Sequence, residues 1–138
     1  RMKTIVRLSV SLDKELLAAF DRRNRAERYP TRSKAVADLI REKLVKHEWE
    51  SGGEVAGTIT LVYDHHGANV VETLTRIQHD FHRIILASQH IHLDHNNCIE
   101  VVVVKGSPED VKRLADSLKT SKGVKFGNLS MATTGKKM

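Results

Sequence analysis

Cysteine is nearly missing from this chain, which has a single one, Cys98, among 138 residues. One cysteine cannot form an internal disulfide, and a free thiol persists best in a reducing compartment, so the composition excludes a disulfide framework. No run approaches the roughly 20 consecutive apolar residues of a membrane span, and no signal peptide is recognisable. We therefore expect a cytoplasmic protein without a membrane partner.

The motifs of common enzyme classes are missing as well. The chain has no glycine-rich phosphate loop, no sharp serine turn of the hydrolase type and no pair of carboxylates in a catalytic context. We therefore expect that the protein is not an enzyme. The alternative is a zinc hydrolase, which would need three protein ligands and a water molecule in the open position.

Positive charge and histidine are both unevenly spread along the chain. Of the net charge of +6, +5 lies in residues 1–50, whereas seven of the eight histidines lie between His65 and His95. A basic segment attracts polyanions, because each neutralised phosphate of DNA releases condensed counterions; an acidic membrane surface is the competing partner. The sequence thus predicts two segments with different chemistries.

The front segment has the pattern strand, helix, helix. Strict alternation over residues 6–12 predicts one half-buried strand. Asp13 is suited to cap a first helix, and Pro30 marks a turn before a second helix capped by Thr31 or Ser33. One strand with two helices cannot satisfy its own edges, so two copies should pair their strands into an antiparallel ribbon.

This pattern resembles the ribbon-helix-helix DNA-binding domains, in which the paired strands enter the major groove. The candidate DNA-contacting residues are Arg7, Ser9 and Ser11 on the outward strand face and Thr31, Arg32 and Ser33 at the start of the second helix. Arginine can form two hydrogen bonds with guanine, while amides and hydroxyls at a helix start can hold a phosphate. A solvated strand face and ordinary helix capping are the structural alternatives.

Ser51-Gly52-Gly53 is the strongest boundary signal in the chain. We predict a ribbon-helix-helix domain over residues 1–50, a linker at 51–53 and a second domain over residues 54–138. In the second domain the order of patterns is βαββαβ, with a turn at Asn96-Asn97. This order predicts a ferredoxin-like domain with two helices on one face of a four-stranded antiparallel sheet, so the whole chain is α+β.

The stretch HIHLDHNNC, residues 90–98, carries side chains that bind transition metals. Residues two apart in a strand face the same way, so His90 and His92 present adjacent imidazoles. The turn that follows can bring Cys98 beside His92. Two neutral nitrogens and a thiolate suit zinc, copper or nickel, and an incidental grouping around a buried thiol is the alternative.

A fourth ligand is missing from that stretch. His79 and His82 lie three residues apart on the preceding helix and could share a face. Glu100 follows Cys98 on the same strand face, where it could accept a hydrogen bond from an imidazole N–H. An ordinary interstrand charge is the competing interpretation of Glu100.

Taken together, these motifs resemble the nickel-responsive transcriptional regulators, the NikR family. The resemblance rests on the ribbon-helix-helix start, the βαββαβ domain and the string QH…HIHLDHNNC followed by VVVVKG, and it covers nearly the whole chain. It implies an ACT-type regulatory domain that assembles a homotetramer, a dimer of dimers. It also implies one Ni2+ per subunit and repression of nickel-uptake genes through a palindromic double-stranded operator.

The family's square-planar nickel site can be carried over motif by motif. It implies that His90, His92 and Cys98 of one subunit bind the ion together with His79 of another subunit, with His79 following Gln78 as in the family pattern. The chain departs from the family at Lys34, where many members have a glutamate of a second cation site. The remaining functional alternative is a ribbon-helix-helix repressor whose ACT-type domain senses a small organic metabolite.

Overall fold

The computed structural model describes residues 3–138. In chain order, the elements are α1 (Lys14–Ala26), α2 (Arg32–Ser51), β1 (Val55–Asp64), α3 (Val70–Asp80), a short 3-10 helix (His82–Ile84), β2 (Ile85–His92), β3 (Asn97–Gly106), α4 (Pro108–Lys119) and β4 (Val124–Met131). The chain divides into two compact units, the first ending at Ile40 and the second beginning at Arg41. Within residues 3–138, no helix is long and apolar enough to cross a membrane.

In the first unit, residues 3–12 form neither a helix nor a strand in the single chain. Their apolar side chains are exposed, with Val6 at 84% and Leu8 at 73%. An extended segment needs a neighbouring strand for its backbone hydrogen bonds, and α1, the following turn and the start of α2 supply none. This corrects the prediction of a strand over residues 6–12 for a chain without a second copy.

The two helix starts of the first unit follow the sequence. The Asp13 carboxylate accepts a hydrogen bond from the Leu16 amide at 2.9 Å and caps α1, as predicted. The Thr31 hydroxyl accepts one from the Lys34 amide at 3.1 Å and caps α2. Each cap satisfies one of the amides that a helix start leaves without an internal acceptor, and each contributes about 1 kcal/mol.

The second unit contains a four-stranded antiparallel sheet with the strand order β2-β3-β1-β4. The strands and helices follow one another as βαββαβ, which confirms the predicted arrangement. The register pairs Tyr63 of β1 with Cys98 of β3, and Cys98 in turn with His92 of β2. The ends of three strands therefore meet at one corner of the sheet.

One face of this sheet is buried. Alternate residues of β1 and β3 are inaccessible, and they join apolar side chains of α3 and α4 in a single core. Val111, Leu114 and Leu118 of α4 are fully buried in it. Burying each such side chain stabilises the fold by about 1.5–3 kcal/mol. The corner that carries Cys98 belongs to this rigid core.

Helix α2 extends to Ser51, one residue into the predicted linker. Near its end, Trp49 is buried and donates a hydrogen bond from its indole nitrogen to the Ala132 carbonyl at 2.9 Å. Gly52 and Gly53 follow with φ of 85° and 89°, a backbone conformation that favours glycine. The exact limits of the two predicted domains stay a prediction.

Candidate metal centre and nucleic-acid interface

The hairpin of β2 and β3 places the predicted ligands on adjacent strands. In its register His92 lies opposite Cys98, and His90 lies opposite Glu100. The imidazole centroids of His90 and His92 are 5.2 Å apart. Both histidines are exposed, whereas Cys98 is buried. The single chain therefore presents two imidazoles at the surface beside a sheltered sulfur.

The Cys98 thiol is held in its neutral form in the isolated chain. Its Sγ donates a hydrogen bond to the Tyr63 carbonyl at 3.4 Å. Burial raises the pKa of the Cys98 thiol, and the nearby Glu100 carboxylate raises it further, while the Tyr63 side chain acts in the opposite direction. A thiolate at this position consequently needs a nearby cation, because a buried negative charge without a partner is costly.

Glu100 is the buried carboxylate at the centre of this corner. Three side chains donate hydrogen bonds to it: the Tyr63 hydroxyl at 2.6 Å, the Gln78 amide at 2.7 Å and the Ser88 hydroxyl at 2.8 Å. These donors come from β1, α3 and β2, while Glu100 itself is on β3. One carboxylate thus connects four elements of the second unit.

Tyr63 stands between Glu100 and the His90 imidazole. Its oxygen is 3.2 Å from His90 Nδ1. Since its only proton goes to Glu100, the contact is satisfied when His90 Nδ1–H donates to the tyrosine oxygen. His90 then keeps the lone pair of Nε2 for a metal ion. Burial, followed by the hydrogen bond to Glu100, raises the pKa of Tyr63 well above its usual value, so the hydroxyl stays protonated.

The sequence suggests that Glu100 could accept a hydrogen bond directly from an imidazole N–H, whereas in the structure the Tyr63 hydroxyl lies between Glu100 and His90. Sequence reasoning did not find Tyr63 or Gln78 as members of this network. A signal for Tyr63 was available, because a tyrosine at a buried strand position needs a partner for its hydroxyl. Which carboxylate it meets depends on the order of the strands, which local patterns do not specify.

His79 lies near the end of α3, next to Gln78, and is exposed. Its ring stacks on that of His82, with centroids 6.0 Å apart. Across residues 3–138, no three histidine, cysteine, aspartate or glutamate side chains are grouped so that they could hold a metal ion. The single chain therefore supplies nickel-compatible donors, imidazole nitrogens and a thiol, without gathering them into a complete site.

Three further histidines, His65, His66 and His95, extend the row of imidazoles. The His65 ring is 4.6 Å from that of His92 and 4.1 Å from that of His66, and the His66 ring is 5.4 Å from that of His95. His66 Nε2 contacts the His95 carbonyl at 3.2 Å, so this nitrogen carries the proton. Burial, with the neighbouring His66 and His92, lowers the pKa of His65.

The candidate DNA-contacting residues lie in two parts of the first unit. Arg7, Ser9 and Ser11 are exposed in the extended segment, and Thr31 and Ser33 are exposed at the start of α2. Arg32 differs from these residues because its guanidinium is engaged by Asp21 of α1, with Nε–Oδ1 and Nη2–Oδ2 distances of 2.9 and 2.7 Å. Thr31, Arg32 and Ser33 are neighbours at the start of α2, whereas Arg7, Ser9 and Ser11 lie in a segment that forms no strand in the single chain.

The order of the two units and their chemistry define a class of protein: a ribbon-helix-helix regulator with a metal-binding C-terminal unit. A family model of ribbon-helix-helix proteins of the copG family matches residues 6–46, and a model of the NikR C-terminal nickel-binding domain matches residues 56–132. The chain belongs to the family of nickel-responsive regulators. It is thus a DNA-binding transcriptional regulator with a nickel-binding domain, not an enzyme.

Curated relatives match over almost their full length. A protein of Syntrophus aciditrophicus is 50% identical over 134 residues, covering 97% of this chain and 98% of the relative. A protein of Nitratidesulfovibrio vulgaris strain DP4 is 53% identical over 135 residues, covering 97% of each. Both carry the provisional name of nickel-responsive regulator. Among solved structures, the uncharacterized protein TM1266 of Thermotoga maritima shares the fold over 59% of this chain and 100% of its own, with a TM-score of 0.54 and 17% identity.

Proposed function

We propose that this protein is a nickel-responsive repressor in which Ni2+ binds between subunits, one ion per chain. His90, His92 and Cys98 supply three donors, and the partner subunit's His79 supplies the fourth. The observation that carries this proposal is the β2–β3 register, which sets His92 opposite Cys98 with His90 on the same strand face. A bound nickel ion supplies the positive charge that the buried thiolate needs.

An intersubunit ligand is supported by what a single chain leaves incomplete. Within residues 3–138 the donors do not form a group of three that could hold a metal. His79 is exposed on α3, where a second copy can reach it. A ligand from another subunit makes nickel affinity and assembly thermodynamically linked, because each then stabilises the other.

The Glu100 network supports a route from the metal to α3. Gln78, adjacent to His79, donates to Glu100, and Tyr63 connects Glu100 with His90. An ion held by His90, and a second ion at the neighbouring site held by His79 of the same chain, would restrain both ends of this network. Nickel would then bias the presentation of the DNA-binding units through an ordered α3.

DNA recognition would use two copies of the first unit. Pairing the extended segments of two chains covers the apolar face of residues 5–12 and satisfies their backbone. The opposite face then presents Arg7, Ser9 and Ser11 to the major groove, while Thr31 and Ser33 contact phosphates. The sequence pattern also predicts Arg32 as a phosphate contact. Its guanidinium, however, is already hydrogen-bonded to Asp21.

At the level of the assembly, we infer a dimer of dimers that bridges two half-sites of a palindromic operator, working in the cytoplasm. The DNA-binding domain would span residues 1–50 and the ACT-type domain residues 54–138, joined at 51–53. Repression of nickel-uptake genes is the output that fits a nickel corepressor. Two-fold symmetry of the protein would match the two-fold symmetry of such an operator.

Absorbance during a Ni2+ titration of the metal-free protein tests the site. We expect an endpoint of one ion per chain with a thiolate-to-nickel charge-transfer band. The Cys98→Ala variant should lose this band, and His79→Ala should keep a thiolate band with altered position and weaker binding. His82→Ala, which removes the neighbouring imidazole just beyond the end of α3, is the control and should keep the wild-type band and endpoint. A wild type without a stoichiometric endpoint would contradict the proposal.

A further inference from the structure

The start of α2 carries two cations, and both are engaged within the first unit. Arg32 forms two hydrogen bonds with Asp21, and Lys34 Nζ lies 2.6 Å from Asp38 Oδ1. The first turn of α2 contains no acidic residue of its own. Cations at a helix start are disfavoured by the helix dipole, so these two carboxylates compensate a local excess of positive charge.

The two ion pairs differ in what they connect. Lys34 and Asp38 are four residues apart on α2, whereas Asp21 lies on α1, eleven residues before Arg32. A guanidinium held by both carboxylate oxygens fixes orientation as well as distance. The Arg32 hydrogen bond lowers the pKa of Asp21, so the carboxylate is charged at neutral pH. The pair therefore holds the first turn of α2 in a defined position relative to α1.

Arg7 provides a contrast within the same unit. Its side chain is exposed and, within residues 3–138, takes part in none of the ion pairs. A cation without an internal partner can form hydrogen bonds with DNA at little cost, whereas Arg32 must first give up Asp21. We therefore expect Arg7 to contact DNA directly, at a base edge, and Arg32 not to do so.

We propose that Arg32 is a positioning residue: paired with Asp21, it fixes the first turn of α2 so that the uncharged donors of that turn meet a phosphate, and it does not itself neutralise one. This inference rests on the proposed DNA-binding function. It replaces the assignment of Arg32 as a phosphate contact that its place in the sequence suggested.

A double-mutant cycle on the full-length protein tests the inference. The variants are Asp21→Asn, Arg32→Gln and the double variant, which has the wild-type net charge. The probe is a 40-bp duplex selected from a random library by the nickel-loaded wild type, with binding measured over a range of KCl. We expect each single change to weaken binding about tenfold, with the double variant no weaker than either single.

The salt dependence separates positioning from phosphate contact. The slope of log K against log [KCl] is negative, and removing a phosphate contact makes it shallower by about 0.9 for each phosphate lost. We expect Arg32→Gln to keep the wild-type slope. If Asp21 instead masks a phosphate ligand, Asp21→Asn will strengthen binding and steepen the slope, which would overturn the inference.

A matched ion pair controls for general electrostatics. Arg23 and Glu27 form an exposed pair within α1 and connect no other element. The cycle of Arg23→Gln and Glu27→Gln changes the same charges on the first unit, and its two effects should be additive. Equal non-additivity in both cycles would overturn the inference. If the wild type selects no duplex, the proposed function fails, and this inference fails with it. That result is distinguishable from the outcomes above, which overturn the inference alone.

Discussion

At the scale of single residues, the Tyr63 hydroxyl connects the side chains at the corner of the sheet where β1, β2 and β3 meet. It gives its proton to Glu100 and faces His90 Nδ1, so one atom fixes both the buried carboxylate and the orientation of a candidate ligand. Groups of this kind commonly change metal affinity when they are removed, even though they never touch the ion. Tyr63 is the residue where this effect can be isolated.

We predict that Tyr63→Phe lowers nickel affinity about tenfold and destabilises the metal-free fold by about 1–3 kcal/mol, because Glu100 loses a donor while buried. Urea unfolding and competition with a chelator measure the two effects. Tyr29→Phe is the matched control, since Tyr29 donates to the Asp38 carboxylate in the first unit. It should leave nickel affinity unchanged. Equal nickel affinity in Tyr63→Phe and wild type would refute this role.

The sequence predicts some residues of the corner better than others. His92 and Cys98 follow from alternation and one turn, and the observed register places them opposite each other. Tyr63 and Gln78 could not be found in the same way, because their roles depend on β1 pairing with β3 and on α3 lying within hydrogen-bonding distance of Glu100. Local patterns specify elements, and the non-local pairing of elements specifies these contacts.

At the scale of elements, α3 is attached to the sheet by a polar contact as well as by its apolar face. Val70 and Leu74 are buried, and near the other end of the helix Gln78 donates to Glu100. Polar contacts of this type add little to stability on average but leave a costly unsatisfied group when one partner is removed. The end of α3 that carries His79 should therefore depend on Gln78.

We predict that Gln78→Ala speeds amide hydrogen exchange at the His79 end of α3 in the metal-free protein, because the helix end loses its connection to β3. Exchange in α4 should stay unchanged. Arg76→Ala, an exposed change on the same helix, is the control and should leave exchange in α3 at the wild-type rate. Faster exchange of similar size in both variants would mean that the loss of any long side chain from α3, and not of the Glu100 contact in particular, is responsible.

The connection between α1 and α2 should weaken in acid. Arg32 lowers the pKa of Asp21 below its ordinary value of 3.8, so the pair contributes stability above that pH and loses it as the pH falls through the lowered pKa. We predict that the stability difference between wild type and Asp21→Asn shrinks below pH 3.8, as measured by urea unfolding at several pH values. A difference that stays constant from pH 6 to about pH 2 would contradict this.

Residues 3–12 are the segment in which the structure of the single chain differs from the prediction made from the sequence. Its alternation predicts a strand, yet the isolated chain offers no neighbouring strand to pair with. The alternating pattern therefore points to an assembly of at least two copies, in which a second chain supplies the neighbouring strand. The βαββαβ unit was predictable because all four of its strands find partners within the same chain.

At the scale of the whole molecule, the proposed metal site belongs to two subunits. Three donors on the β2–β3 hairpin of one chain and one on α3 of another would complete each site. Such sharing has a specific consequence for mixtures of variants. A chain that lacks Cys98 can still supply His79 to the site of its partner. A chain that lacks His79 still has the other three donors of its own site.

The most direct measurement is therefore the nickel content of hybrids between His79→Ala and Cys98→Ala chains, unfolded together and refolded. Neither variant alone should form the wild-type site with its charge-transfer band. Our account predicts one restored site per hybrid pair of chains, with the wild-type spectrum. If the hybrids bind no more nickel in this form than the separate variants do, the site does not lie between subunits and the central claim fails.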